Sequence, residues 1–125
     1  MSEKDLRFTE THEWVRVEGD VATLGLTDYA QGELTDIVFV EPVEPGRSLS
    51  AGDVLTTVES YKSISEMYSP FDGEVVEGNA ALDDEPTLIN TDPYGKGWIA
   101  RIKLAGGADL SGLMTAEQYE QHIKG

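Results

Sequence analysis

Val54-Leu55-Thr56-Thr57-Val58-Glu59, Ser60-Tyr61-Lys62-Ser63 and Ile64-Ser65-Glu66-Met67-Tyr68 follow one another without interruption. The first run is rich in β-branched residues and the third alternates apolar with polar, so the two read as paired strands with the middle four residues at their tip. A lysine at such a tip has its ammonium in water and its backbone pinned on both sides by sheet. That is what a modifying enzyme needs if it recognises the shape of a turn. For an arbitrary lysine in an arbitrary turn the ordinary reading is a solvated surface charge; the context of Lys62 is what sets it apart.

Outward from the hairpin, the pattern stays that of short strands and turns. Residues 8–10 and 14–17 are strand candidates joined through Thr11-His12-Glu13, and Glu18-Gly19-Asp20 is a turn into 21–26, which makes an antiparallel meander. Thr27 or Asp28 caps a short helix through Glu33, residues 36–40 form a further strand, and Pro42 and Pro45-Gly46 break it. Residues 46–53 are echoed by 79–86, with Leu49 and Leu55 matched by Leu82 and Leu88, a hint of two related halves. Trp98-Ile99-Ala100-Arg101-Ile102-Lys103-Leu104 alternates as a strand, preceded by a loop or helical turn over 90–97 and ended by Ala105-Gly106-Gly107-Ala108. Thr115 with Glu117 and Gln118 is a capping arrangement for a C-terminal helix through Tyr119, His122 and Ile123.

The chain has 125 residues, 39% hydrophobic with 13 glycines, which suits one mostly β domain spanning 1–125. Its 24 acidic and 9 basic residues give a formal charge of −15, so nucleic acid and anionic membrane would repel it. The acidity reads equally as solubility, including in a high-salt habitat, or as a face that steers toward basic partners. Without cysteine there are no disulfides, thiolate metal sites or cysteine nucleophiles, so any thiol chemistry must come from an added group. No apolar run approaches the roughly 20 residues of a membrane span. The start Met1-Ser2-Glu3-Lys4-Asp5 is neither signal nor transit peptide, so a prokaryotic cytoplasmic location is expected.

Residues 58–63, followed by Ser69-Pro70-Phe71-Asp72-Gly73-Glu74-Val75-Val76-Glu77-Gly78-Asn79, resemble the lipoyl-lysine hairpin and following turn of the glycine cleavage H-protein family. Thr11-His12-Glu13-Trp14-Val15, Gly25-Leu26-Thr27-Asp28-Tyr29-Ala30 and Asn90-Thr91-Asp92-Pro93-Tyr94-Gly95-Lys96-Gly97-Trp98 are similar to segments of the same family in the same order, so the likeness runs from about residue 8 to 123. The resemblance implies a flattened β-barrel or sandwich of the lipoyl/biotinyl-domain type, a barrel-sandwich hybrid, with short helices including a C-terminal one. It implies (R)-lipoate in amide linkage to Lys62 and a carrier that is not itself an enzyme. Such a carrier shuttles the aminomethyl group of glycine from a pyridoxal-phosphate glycine decarboxylase to a tetrahydrofolate-dependent aminomethyltransferase. A dihydrolipoyl dehydrogenase then reoxidises it. Lipoate-attaching enzymes are further partners, and a monomer is expected.

The resemblance also gives roles to three other residues. Glu59, three positions before the lysine, would help the attaching enzyme recognise the hairpin; the plainer reading is a solvated strand-end charge. His12 and Glu13 would lie near the cleft where the loaded arm rests, with Glu13 hydrogen-bonded to the amine of the cargo; the plainer reading is a core Trp14 with His12 capping the strand. Tyr61 departs from the small β-branched residue expected beside the lysine, and bears on how the hairpin is recognised. Biotinyl domains place methionines on both sides of their lysine and 2-oxo acid dehydrogenase domains place Asp before it, whereas here Tyr61 and Ser63 are the neighbours. Two alternatives stay open: a relay donating lipoyl or octanoyl groups to 2-oxo acid dehydrogenases, and a noncovalent binding module with Lys62 unmodified.

Other motifs carry little. Asp83-Asp84-Glu85 lacks the alternating ligands and distal glutamate of a calcium loop and reads as a solvated acidic turn. Gly95-Lys96-Gly97 lacks the strand-to-helix setting of a phosphate loop, Tyr94 and Trp98 read as packing residues, and no Ser/His/Asp set for hydrolysis can be assembled.

Overall fold

The structure, a computed structural model, describes residues 6–106 and 112–124. The expected acidic opening over 1–5 and the Gly107-Ala108 part of the strand exit lie outside the described residues.

Strands β1 (Arg7–Phe8), β2 (Glu13–Glu18) and β3 (Val21–Leu26) form the expected meander, followed by α1 (Asp28–Leu34) and β4 (Ile37–Val40). After them come β5 (Ser48–Leu49), β6 (Val54–Ser60), β7 (Ile64–Tyr68) and β8 (Gly73–Gly78). The one-turn helices α2 (Ala81–Asp84) and α3 (Leu88–Thr91), strand β9 (Ala100–Leu104) and helix α4 (Ala116–Lys124) complete the order. The strands make two antiparallel sheets, one ordered β1-β2-β3-β9-β8-β5 and the other β4-β6-β7. Their inner faces share one core that includes Val15, Leu24, Ile37, Val58, Met67 and Ile102, so the fold is a flattened sandwich and not a closed barrel.

Local chemistry accounts for the boundaries. The Thr27 side chain accepts from the Ala30 N–H and caps α1. Thr115 and Gln118 cap α4 reciprocally: the Thr115 hydroxyl accepts from the Gln118 N–H at 3.2 Å, and the Gln118 side-chain oxygen accepts from the Thr115 N–H at 2.9 Å. The first strand stops at Phe8 and not at residue 10, because the Thr9 and His12 amides close a tight turn, donating to Glu13 O and Thr9 O. His12 completes that turn at a φ of 70°.

The suggested repeat does not extend to secondary structure. Leu49 and Leu82 are both buried, but the first lies on β5 and the second on α2, where Ala80, Ala81 and Leu82 favour helix more than Ser48, Ser50 and Gly52 do. Nor does β9 reach back to Trp98: it begins at Ala100, although the Ile99 N–H already donates to Leu24 O.

Both faces of β2 are covered at its start, which strict alternation does not foresee. Glu13, Trp14 and Val15 are consecutive buried residues. Val15 faces the sandwich core, while Trp14 faces outward into a second cluster with Leu6, Phe8 and Tyr119 of α4. Phe8 and the Tyr119 ring stack at 4.7 Å, which docks the C-terminal helix on the outer face of the larger sheet. Among the described residues no helix is long and apolar enough to cross a membrane.

Candidate functional site

The β6–β7 hairpin carries Lys62. Val58 pairs with Ser65 and Glu59 with Ile64, and the Ser60 N–H donates to Ser63 O at 2.9 Å to close the turn. The Ser60 hydroxyl oxygen sits inside that turn and accepts from the Lys62 N–H at 3.4 Å and the Ser63 N–H at 3.2 Å. These are long bonds, each weak alone, yet together they tie both tip amides to one buried side chain. Ser60 is a positioning residue that the pattern of alternating strands overlooked; the signal was a Ser at the first position of a four-residue turn. Lys62 itself is exposed and joins no ion pair with any described residue.

At the opposite end of β7 lies a cleft of about 330 Å³, lined among others by Thr9, Thr11, Glu13, Tyr68, Ser69 and Leu113. Glu13, with Glu10 one of its two carboxyl residues, is only 1% exposed. Its Oε1 accepts from the hydroxyls of Thr9 and Thr11, both at 2.5 Å, and its Oε2 accepts, among the described residues, a long bond from the Tyr68 N–H at 3.4 Å. The Glu13 amide in turn donates to the Thr9 hydroxyl at 3.0 Å, which fixes that hydroxyl's direction. Burial pushes the Glu13 carboxyl above the usual range, and the donors from Thr11, Thr9 and Tyr68 pull part of the way back. Among the described residues, one carboxylate oxygen therefore has two short bonds and the other a single long one.

His12 does not line that cleft. His12 sits in the turn before β2 with a positive φ, and its ring turns toward α4 instead. Its Nδ1 shares a 2.8 Å hydrogen bond with the Tyr119 hydroxyl, which also bonds the Thr27 hydroxyl at 2.8 Å. The Tyr29 and His122 rings pack beside it at 4.9 and 5.8 Å. Burial, with His122 adding to it, lowers the His12 pKa against an opposing pull from Glu33. The Tyr119 hydroxyl is pushed up to about 12, first by burial. His12 and Glu13, both expected near the cargo cleft, are sent to different sides of the turn, and Glu13 is the one that lines this cleft.

Trp14 and Gly25 explain why Glu13 is held so firmly. They face each other across β2 and β3, and the indole lies directly over the glycine, whose added Cβ would stand 2.6 Å from the indole nitrogen. That nitrogen donates to Pro93 O at 2.8 Å, anchoring β2 from the far side. Trp98, read as a packing residue, also carries the Arg101 guanidinium over its ring at 4.2 Å. Glu59 lies half-buried on β6, in register with Phe39 of β4 and Ile64 of β7. Among the described residues no group of three His, Asp or Glu side chains could hold a metal ion, so the Asp83-Asp84-Glu85 turn gathers no cation site.

The reach between tip and cleft matters for what this arrangement can do. From Ile64 to Tyr68 the strand rises about 14 Å. A lysine side chain extended by an eight-carbon acyl group is about a dozen bonds long and spans about 15 Å. An exposed lysine on a hairpin tip, with a polar cleft at the other end of the same hairpin strand, has the form of a covalent carrier domain, in which the protein positions an attached group.

Comparison with known proteins agrees with that class. The family model described as Glycine cleavage H-protein matches residues 6–125. The glycine cleavage system H protein of Bacteroides fragilis is 50% identical over 117 residues, covering 94% of this chain and 93% of that protein. The probable glycine cleavage system H protein of Aeropyrum pernix is 50% identical over 121 residues, covering 97% and 85%. The crystal structure of a glycine cleavage system H protein from Mycobacterium marinum superposes with a TM-score of 0.88 at 35% identity, covering 97% of this chain and 98% of that one. The chain belongs to the glycine cleavage H-protein family.

Proposed function

We propose that the protein is the lipoyl carrier of a glycine cleavage system, with (R)-lipoate attached through an amide to Nζ of Lys62. The observation that carries the attachment point is the exposed lysine on a turn whose two tip amides are bound to Ser60. The residues present fit the group: the tip is open to an attaching enzyme, and the Glu13 cleft lies against Tyr68 at the far end of the strand that leaves the Lys62 turn. Once bound, the lipoyl group supplies a reversible disulfide, which a chain without cysteine otherwise lacks.

The chain's own residues position and shield. Ser60 holds the root of the arm in one orientation. Glu13 Oε2, which among the described residues has a long bond to Tyr68 alone, is the acceptor that an amine-bearing cargo would complete. Thr9 and Thr11 keep the other oxygen occupied, and the cleft walls limit water around the far end, which matters because an aminomethyl group bound to sulfur is lost by hydrolysis. The protein breaks no bond in this scheme. It presents one arm in turn to a glycine decarboxylase, a folate-dependent aminomethyltransferase and a dihydrolipoyl dehydrogenase. The same reading treats the chain as one domain, monomeric and cytoplasmic, with Glu59 part of what the attaching enzyme recognises. His12 stands outside the cargo contact and serves the docking of α4.

The decisive experiment is intact mass with peptide mapping of protein made in cells with active lipoylation enzymes, beside Lys62→Arg. One lipoyl adduct on Lys62, absent from the variant, is the expected result. An unmodified Lys62 where a control domain is fully lipoylated would leave a noncovalent binding module.

A further inference from the structure

A second pocket, of about 440 Å³, shares no lining residue with the Glu13 cleft. It is built where α4, the start of α1 and β1 meet the loop after α3. Helix α4 gives it Ala116, Tyr119, Glu120 and Ile123, whose spacing of three, four and seven puts them on one stripe of the helix. With Phe8, Tyr29 and Tyr94 the lining becomes aromatic, and three of the chain's 5 tyrosines come together here. Their positions are fixed by bonds already in place. Phe8 stacks on Tyr119 at 4.7 Å, the Tyr119 hydroxyl bonds His12 and Thr27, and the Tyr94 hydroxyl accepts from the Asp28 N–H at 2.9 Å. Asp28 and Glu120 are the charged members of the lining, both carboxylates and both exposed. Asp28 Oδ1 accepts from the Gln31 side chain at 2.8 Å, and Glu120 meets Lys124 only at 3.9 Å, a loose pairing in water.

We propose that this pocket binds a small-molecule organic cation, a guanidinium or methylated ammonium group on a short apolar stem. An aromatic ring attracts a cation through the negative charge of its face, and more strongly where water is excluded. Phe8, Tyr29, Tyr94 and Tyr119 supply the rings, and Asp28 and Glu120 add opposite charge. A neutral guest forgoes both attractions. An anion is repelled by the two carboxylates and by a chain of formal charge −15. A bare metal ion finds too few ligands, since among the described residues no group of three His, Asp or Glu side chains gathers. Delocalised or methylated cations suit such rings because they give up water more readily than a simple ammonium does. The volume falls within the roughly 300–1,000 Å³ of small-molecule sites. The proposal needs no group on Lys62, so it stands or falls apart from the carrier reading.

The test is an amide NMR titration of the whole chain with choline chloride and, separately, propylguanidinium chloride, at an ionic strength held constant with sodium chloride. Saturating shifts at Asp28, Tyr29, Tyr94 and Tyr119 are expected, with a Kd of about 1–10 mM for ligands of this size. The neutral isostere of choline, with carbon in place of nitrogen, should bind about 5-fold more weakly or worse. Tyr29→Leu keeps a good helix former in α1 and should weaken either cation about 5-fold. Asp28→Asn/Glu120→Gln removes the charge at nearly constant size and should also cost about 5-fold. Phe39→Leu, an exposed ring on β4 outside this pocket, should stay within about 2-fold of the parent. Equal affinity for choline and its neutral isostere would overturn the cation site, as would shifts that neither saturate nor centre on these residues. Where circular dichroism shows Tyr29→Leu unfolded, the double variant on the exposed carboxylates decides: parent-like affinity there overturns the proposal and weakened affinity upholds it.

Discussion

Replacing Gly25 with alanine tests whether Trp14 is the anchor that holds the cleft wall. The new Cβ would stand 2.6, 2.7 and 2.8 Å from the indole nitrogen, Cε2 and Cζ2, all closer than carbon contacts allow. The neighbour is a rigid ring, fully buried and bonded to Pro93 O, so it cannot yield as a flexible chain end would. Overpacking of this kind costs about 2 kcal/mol, and shifting the ring off Pro93 adds about 1 kcal/mol for the lost hydrogen bond. For a chain of 125 residues the unfolding entropy is about 0.26 kcal/mol/K. A loss of about 3 kcal/mol therefore lowers Tm by about 11 °C. Thermal unfolding followed by far-UV circular dichroism gives the shift, and tryptophan fluorescence reports the moved indole. A Tm within about 2 °C of the parent would refute the reasoning, because it would mean that β2 and β3 separate without cost.

Further predictions follow from the hydrogen bonds and titrations. Glu13 has a raised carboxyl pKa, so its protonated form is favoured by folding: that stability is full below the unfolded pKa and is lost as pH rises through the folded one. Glu13→Gln should remove this pH dependence and unfold at a higher denaturant concentration near neutral pH, while speeding cargo loss from the loaded arm; a denaturant series across pH, with a hydrolysis assay, checks both. His12 is the opposite case, its lowered pKa giving stability present above the unfolded value and lost as pH falls through the folded one. His12→Asn, which tolerates the positive φ, should flatten that acid loss in the same titration. Tyr119→Phe removes one partner each from the buried Thr27 hydroxyl and the His12 nitrogen and should cost about 1–3 kcal/mol, read as a lower urea midpoint with unchanged m. Ser60→Ala should accelerate amide exchange at Lys62 and Ser63 and slow lipoylation severalfold without changing the site of attachment.

Local chemistry is why so much of this protein is legible in its residues. The hairpin, its tip lysine, the Thr27 cap, the Thr115–Gln118 capping box and the β2–β3 turn at Gly19 all depend on neighbours within a few positions, and each is where the residues imply. The family is legible across ordered blocks as well, since Trp14, Gly25 and Pro93 belong to three separate family-like segments that meet at one indole. The division between His12 and Glu13 was not legible: adjacent residues go to opposite faces, and only the position of α4 on the outer sheet says which face is which. Nor did the echo of residues 46–53 in 79–86 foretell a strand in one place and a helix in the other.

By itself, then, the order of residues determines the class of fold, the strand pairing nearest in sequence, and the lysine that stands out in water. Tertiary structure alone decides that Tyr68 brings its amide to Glu13 across 55 positions, that Tyr29 and Tyr94 line one pocket with Phe8, and that a helix more than 100 residues away closes over His12. The physical reason is range. Turns and caps are settled by hydrogen bonds within a few residues, whereas a cleft and a second pocket are made by surfaces that meet only after the sheets and helices have packed.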